Sequence, residues 1–251
     1  MGRIITIANQ KGGVGKTTTA VNLASCLALA EKKILVVDID PQGNATSGFG
    51  KNKFNSKGIY HALMNGQIIP ELIVSTELDY LYLCPSSPEL AGAEVELYSF
   101  KDREKRLSLI LSSIENDFNY IFIDCPPSLG FLTINALTAS HSVLIPIQCE
   151  YYSLEGVTDL LDILEEIRKY LNPALEIEGI LLTMHDERTN LSHQVIDEIK
   201  TVFKDKVFQS IIPRNIKIAE APSFGKPIIL YDIKSKGAQA YLNLAKELLL
   251  K

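Results

Sequence analysis

The chain has 251 residues, 46% apolar and 22% charged, with 15 Gly and 11 Pro, a composition that fits a globular core and excludes disorder or a disulfide-dense scaffold. A chain of that size buries roughly 70–75% of its unfolded surface when it folds as one unit, so a single domain over 1–251 is expected. The formal charge of −5 speaks mildly against nucleic acid when taken as one number, and no stretch approaches the roughly 20 apolar residues that span a bilayer.

In chain order, residues 4–9 form a short apolar run that stops at Lys11-Gly12-Gly13, and residues 17–30 then have helical spacing. Lys11 and Gly12 follow directly on the first apolar segment, which is unlike a secretory signal, and a cytoplasmic chain is expected. Residues 34–38 read as a buried strand ending in acid, and residues 120–124 as another. Residues 142–147 and 177–184 repeat the pattern, with helical segments after them at 154–171 and 191–203. Near-continuous β-branched runs separated by helices predict an α/β fold, a mostly parallel twisted sheet with helices on both faces. Ligands of such sheets bind beyond the carboxyl ends of the strands, where Lys11, Asp38, Asp40, Asp124 and Thr183 fall. The closing helix, about residues 237–250, puts Tyr241, Leu244, Ala245 and Leu248 on one face. Its polar side offers only Lys246 and Lys251, too little basic charge for a membrane-lying helix, so packing on the core is expected. Cys26, Cys84, Cys125 and Cys149 form no CxxC and read as buried small hydrophobes.

Lys11-Gly12-Gly13-Val14-Gly15-Lys16-Thr17-Thr18 closes a strand and opens a helix, as a phosphate cradle must. Glycines let successive backbone N–H groups turn toward phosphate oxygens, and the helix N-terminus adds partial positive charge. Lys16 is expected to reach the β- and γ-phosphates of ATP, and the Thr17 hydroxyl to ligate Mg²⁺. Gln10 stands where the ordinary pattern has a glycine, and the extra Lys11 follows it, so the motif is a deviant Walker A loop. Asp124 ends an apolar strand and fits an acid holding Mg²⁺, directly or through water. Asp38 and Asp40 are spaced to point the same way. Asp38 is expected to help hold Mg²⁺, and Asp40, which begins the loop, to position the attacking water.

The Lys11 to Thr18 loop, Asp38-Ile39-Asp40-Pro41-Gln42-Gly43-Asn44 and Asp124-Cys125-Pro126-Pro127-Ser128 together closely resemble the ParA/Soj type of chromosome or plasmid partition ATPase. The likeness continues through Glu150-Tyr151-Tyr152-Ser153-Leu154-Glu155-Gly156, Ile212-Pro213-Arg214-Asn215 and Glu220-Ala221-Pro222-Ser223-Phe224-Gly225-Lys226, segments whose purpose spacing does not reveal. The deviant loop alone would mark only the wider superfamily, shared with MinD, nitrogenase iron protein and some amide-forming biosynthetic enzymes. The resemblance implies a switch: an ATP-dependent homodimer that binds double-stranded DNA without regard to sequence, associates with the nucleoid and hydrolyses ATP when a ParB-like protein stimulates it. It also implies that Lys11 reaches across to the partner's nucleotide, that Gly12 stays small at the dimer interface, and that Met184, Pro213, Arg214 and Asn215 lie near the adenine.

Charge distribution leaves room for DNA. Residues 200–236 carry eight Lys/Arg against three Asp/Glu, whereas 147–199 carry three against twelve. Arg188 and Lys217 match positions that carry DNA-binding basic residues in the family, while Lys200, Lys204, Lys206, Lys234 and Lys236 have only their charge to recommend them. A MinD-like membrane-associated positioning ATPase is the alternative and would need a basic amphipathic tail. An iron–sulfur reductase would need two cysteines per subunit near a dimer axis, and an ATP-dependent ligase a small-molecule pocket.

Overall fold

A computed structural model describes residues 2–54, 57–150 and 155–251; residues 151–154, within the Glu150 to Gly156 segment singled out above, lie outside the described residues. The strands are β1 (Arg3–Ile7), β2 (Ile34–Asp38), β3 (Val74–Ser75), β4 (Leu81–Cys84), β5 (Tyr120–Asp124), β6 (Ser142–Gln148) and β7 (Glu176–Thr183). They form one sheet in the order β3-β4-β2-β5-β1-β6-β7. Every pairing is parallel except that of the short edge strand β3 with β4. The helices are α1 (Lys16–Leu29), α2 (Asn44–Gly48), α3 (Ile59–Asn65), α4 (Leu90–Leu97), α5 (Arg106–Ser112), α6 (Phe131–Ala139), α7 (Glu155–Tyr170), α8 (Asn190–Phe203), α9 (Ile216–Glu220), α10 (Ile228–Tyr231) and α11 (Lys236–Leu249).

The strand sequences explain the layering. Successive side chains of a strand point to opposite faces, and in β2 all of Ile34, Leu35, Val36 and Val37 are fully buried. Leu35 and Val37 join Ile121 and Ile123 of β5 in a core shared with α3 to α8. Ile34 and Val36 join Phe122 in a second core, under α1, α2, α10 and α11. Both faces are therefore covered, and each such side chain contributes about 1.5–3 kcal/mol relative to exposure. α11 behaves as its spacing requires: Tyr241, Leu244, Ala245 and Leu248 are buried, and the helix packs against α1. All four cysteines are free and buried, and burial pushes the Cys26 and Cys149 thiols up to about 12. Among the described residues no helix is long and apolar enough to cross a membrane.

Two strand ends differ from the sequence expectation. β1 stops at Ile7 because Asn9 already serves the loop: its Nδ2 donates to the Pro146 carbonyl (2.8 Å) and its Oδ1 accepts from the Lys11 N–H (3.0 Å). β7 stops at Thr183 because Met184 takes a left-handed backbone, φ 54°. The sequence pattern does not show β3, β4, the helices α2 to α6, or the short helices α9 and α10.

Candidate nucleotide site

The phosphate loop leaves β1 beside the end of β5 and the middle of β6, which runs on to Gln148 alongside the loop. Gly13 and Gly15 have φ values of 75° and 92°, a region that side chains disfavour, so the turn needs glycine at both. Gly15 caps α1 with its carbonyl, which accepts from the Thr19 N–H (2.9 Å), and leaves the first N–H groups of α1 directed at the loop. The strand ends brace the loop from behind. The Thr183 hydroxyl donates to the Val14 carbonyl (2.9 Å), and Gln148 Nε2 to the Gly13 carbonyl (3.2 Å). Lys16 is buried, and its ammonium donates to the Lys11 carbonyl (3.0 Å). Burial lowers its pKa, against the opposing pull of Asp124 and, more weakly, Asp40.

Asp38 and Asp124 are register partners at the ends of β2 and β5. Both Asp124 oxygens are buried, and among the described residues neither accepts a hydrogen bond of good geometry, although the Thr17 hydroxyl lies close enough to act on the carboxylate. Burial, followed by the charge of Asp38, raises its pKa, and the Thr17 hydroxyl and Lys16 only partly offset this. An orphaned carboxylate beside Thr17 and Lys16 is what a resident cation would complete, so the residues present fit Mg²⁺. Among the described residues no three His, Cys, Asp or Glu converge into a protein-only cage. That suits Mg²⁺, which is usually held by one or two carboxylates together with substrate phosphates.

Asp38 is differently engaged. Its Oδ2 accepts from both the N–H and the hydroxyl of Thr46 (2.7 Å each), and its Oδ1 from the Asp40 N–H (3.2 Å). Asp40, 5% exposed, lies past the strand end. Its Oδ1 accepts from the Gln42 N–H (2.8 Å), and its carbonyl from the Gly43 N–H (2.8 Å) and the Ser86 hydroxyl (2.6 Å). With Lys16, Thr17, Gln42 and Asn44 it lines a cavity of about 260 Å³.

Replacing Asp124 with Asn exchanges a buried charge for a buried neutral amide, and should stabilise the nucleotide- and Mg²⁺-free protein by about 1 kcal/mol where the carboxyl would be ionised. The folded carboxyl titrates above its unfolded value, so its ionised form is the destabilising one. That cost is largest at high pH and fades as pH falls through the folded pKa. The gain in melting temperature should therefore grow as pH rises, and a gain that shrank with rising pH would contradict this.

A second cavity, about 380 Å³, adjoins the loop through Gly15, Thr18 and Met184. The turn at Met184 brings the His185 N–H to the Ile212 carbonyl (3.1 Å), and the Arg214 N–H returns to the His185 carbonyl (2.9 Å). Asn215 then caps α9, accepting from the Ile218 N–H (3.2 Å). Met184, Pro213, Arg214 and Asn215 thus come together as walls of one cavity, along with Pro222 and Tyr241, which sequence reasoning missed. Pro222 gives the Glu220 to Lys226 segment a place. Three residues on, Gly225 crosses Gly50 so closely that a Cβ on Gly225 would lie 2.7 Å from the Gly50 Cα.

Arg188 and Lys217 line neither of these two cavities. Arg188 is exposed, its guanidinium forked onto Asp186 (2.7 and 2.9 Å), which holds the Asp186 carboxyl well below the usual range. Lys217 pairs with Glu220 (2.9 Å). Arg188 also shares a concavity of about 230 Å³ with Arg214 and Lys236. Lys11 is half-buried and Gly12 exposed. The nearest atom to a Cβ built on Gly12 is the Pro127 Cβ, 4.0 Å away.

A family model described as an AAA domain matches residues 2–177. The chain is 57% identical over 250 residues to the chromosome partitioning protein ParA of Myxococcus xanthus, an alignment covering 99% of this chain and 88% of that one. It is 56% identical over 248 residues to the sporulation initiation inhibitor protein Soj of Bacillus subtilis, with 98% of each covered. Cobyrinic acid a,c-diamide synthase from Mycobacterium smegmatis, solved with bound ADP and magnesium, superposes with a TM-score of 0.88 at 35% identity, covering 99% of this chain and 94% of that chain.

Proposed function

The chain belongs to the ParA/Soj family of chromosome-partitioning ATPases, and from that premise we propose that it is the ATP-driven switch of a DNA-segregation system. It is an ATPase whose cofactors are ATP and Mg²⁺. In the proposed cycle, ATP brings two copies face to face, the dimer holds double-stranded DNA without regard to sequence, and a ParB-like protein triggers hydrolysis. The protein works in the cytoplasm on the nucleoid, and residues 1–251 act as one unit.

In this reading residues 11–18 cradle the phosphates. Lys16 exchanges the Lys11 carbonyl for phosphate oxygens, and Met184, Pro213, Arg214 and Asn215 enclose the base. Thr17 and Asp124 hold Mg²⁺, which neutralises charge on the β- and γ-phosphates when bound. Asp38 shares in the metal indirectly, since three donors already occupy its oxygens; it adds negative charge beside Asp124 and anchors the loop through Thr46. Asp40, with Oδ1 fixed by Gln42, offers Oδ2 to the attacking water. The partner subunit's Lys11 would supply positive charge to the equatorial oxygens of the γ-phosphoryl group and to the leaving oxygen on which charge develops.

The observation that carries the face-to-face arrangement is Gly12. Its own chain leaves room for a side chain there, so the fold itself does not require glycine, and a small residue at this exposed turn suits the close approach of a second copy. Gly12→Val should therefore bind ATP normally and stay monomeric, with Asp40→Ala plus ATP as the dimer reference in light scattering. A Gly12→Val dimer of equal stability would refute the arrangement. For the switch as a whole, DNA affinity should be compared with ATP, with ADP and without nucleotide; indifference to nucleotide would end the proposal.

The rival readings have less behind them. The apolar face of α11 is already packed, which leaves a MinD-like membrane association without an insertion surface there. An amide-forming reaction, suggested by the diamide synthase superposition, rests on 35% identity against 57% for the partition relative.

A further inference from the structure

We propose that Lys53 is a positioning residue for hydrolysis, clamping from outside the turn that presents Asp40; the proposal rests on Asp40 receiving the attacking water. The Lys53 ammonium donates to the Gln42 carbonyl. Its stem lies across the open side of Gly43, where a Cβ would come within 2.8 Å of Lys53 Cδ and 3.2 Å of its Cβ. The peptide joining Gln42 to Gly43 is thus held at both ends, its carbonyl by Lys53 and its N–H by the Asp40 carbonyl (2.8 Å). The preceding N–H, that of Gln42, is the one that fixes Asp40 Oδ1 (2.8 Å). Lys53 therefore acts one peptide away from the carboxylate it steadies.

Two features make the clamp definite. The loop carrying Lys53 is pinned to the end of α2 by the Gly50 N–H on the Ser47 carbonyl (2.9 Å) and the Lys51 N–H on the Thr46 carbonyl (3.1 Å). The Phe54 ring lies 5.6 Å from the ammonium and limits where it swings. Gln42 is exposed, so water would satisfy its carbonyl in the absence of Lys53. The contact consequently contributes position and little folding energy, and its loss belongs in turnover.

Lys53→Met keeps the stem and removes the donors, and Lys53→Arg restores them. With basal ATP turnover as the readout, Lys53→Met should lower kcat about tenfold, short of the roughly 100-fold that a 1 Å misplacement costs. KM for ATP and Tm should stay at wild-type values, and Lys53→Arg should recover most of the rate. Wild-type turnover by Lys53→Met beside an inactive Asp40→Ala would overturn the Lys53 role alone. Wild-type turnover by Asp40→Ala would remove the premise as well. A raised KM at unchanged kcat, or a drop in Tm for Lys53→Met, would equally overturn the clamp.

Discussion

Lys16→Ala should fail to hold ATP productively, whereas Asp40→Ala should keep Mg²⁺·ATP and lose at least about 100-fold in turnover, the scale on which misplacing a reacting group is felt. The two residues line one cavity but arrive from different elements. Lys16 opens α1, is buried, and keeps its charge on a loop carbonyl, a contact that phosphate oxygens would replace with a charge-assisted one. A hydrogen bond to a charged group is worth about 1.5–3 kcal/mol, which is roughly ten- to 100-fold in affinity for each oxygen engaged. Asp40 sits past the end of β2, held by Gln42, Gly43 and Ser86, and makes no bond to the phosphate loop that its removal would loosen. Titration calorimetry and phosphate release on the two variants separate these roles. ATP affinity near wild type in Lys16→Ala, or undiminished turnover in Asp40→Ala, would show them misassigned.

Arg188→Glu or Lys217→Glu should abolish DNA binding while sparing ATP-dependent dimerisation and basal hydrolysis. Both side chains lie outside the two cavities at the phosphate loop. Each is an exposed cation ion-paired with a half-buried carboxylate, Asp186 or Glu220; the Lys217 pair is a weak surface contact that a phosphate displaces readily, whereas the forked Arg188 pair is firmer and is exchanged for an equally forked contact to a phosphate. A new glutamate both removes a contact and repels the backbone. Wild-type binding should ignore sequence and fall steeply with salt, by about 0.9 log units of affinity per log unit of salt for every phosphate contact. A dimer doubles the contacts. Affinities for two unrelated duplexes at several salt concentrations, with ATP present, decide the matter: equal binding by the Glu variants would move the surface elsewhere.

The central strands and the phosphate loop were legible because their signals are local. A fully buried parallel strand reads as an unbroken apolar run, as Ile34 to Val37 and Ile121 to Ile123 do, and the Gly13 and Gly15 turn is written in adjacent residues. β4 is only four residues long and its partner β3 two, too short for a period to show. The 380 Å³ cavity was not legible from spacing, since Met184, Pro213 and Tyr241 meet through tertiary packing that no spacing encodes; the grouping of Met184 with Pro213, Arg214 and Asn215 came from the resemblance. The engagement of Asp38 was hidden for the same reason. A two-residue interval between acids said that both face one side, but not that Thr46 would claim one of them.

The crossing of Gly50 and Gly225 ties together two regions that the chemistry treats separately. Gly50 follows α2, the helix that begins at Asn44 beside the Asp40 turn, and Gly225 follows Pro222 in the wall of the 380 Å³ cavity. A Cβ on Gly50 would stand 3.1 Å from the Gly225 carbonyl oxygen, and both glycines have left-handed backbones, so neither position accepts a side chain unless the other strand of the crossing gives way. A side chain at either glycine would push the two segments apart, and with them the Asp40 turn on one side of the crossing from the wall of the 380 Å³ cavity on the other.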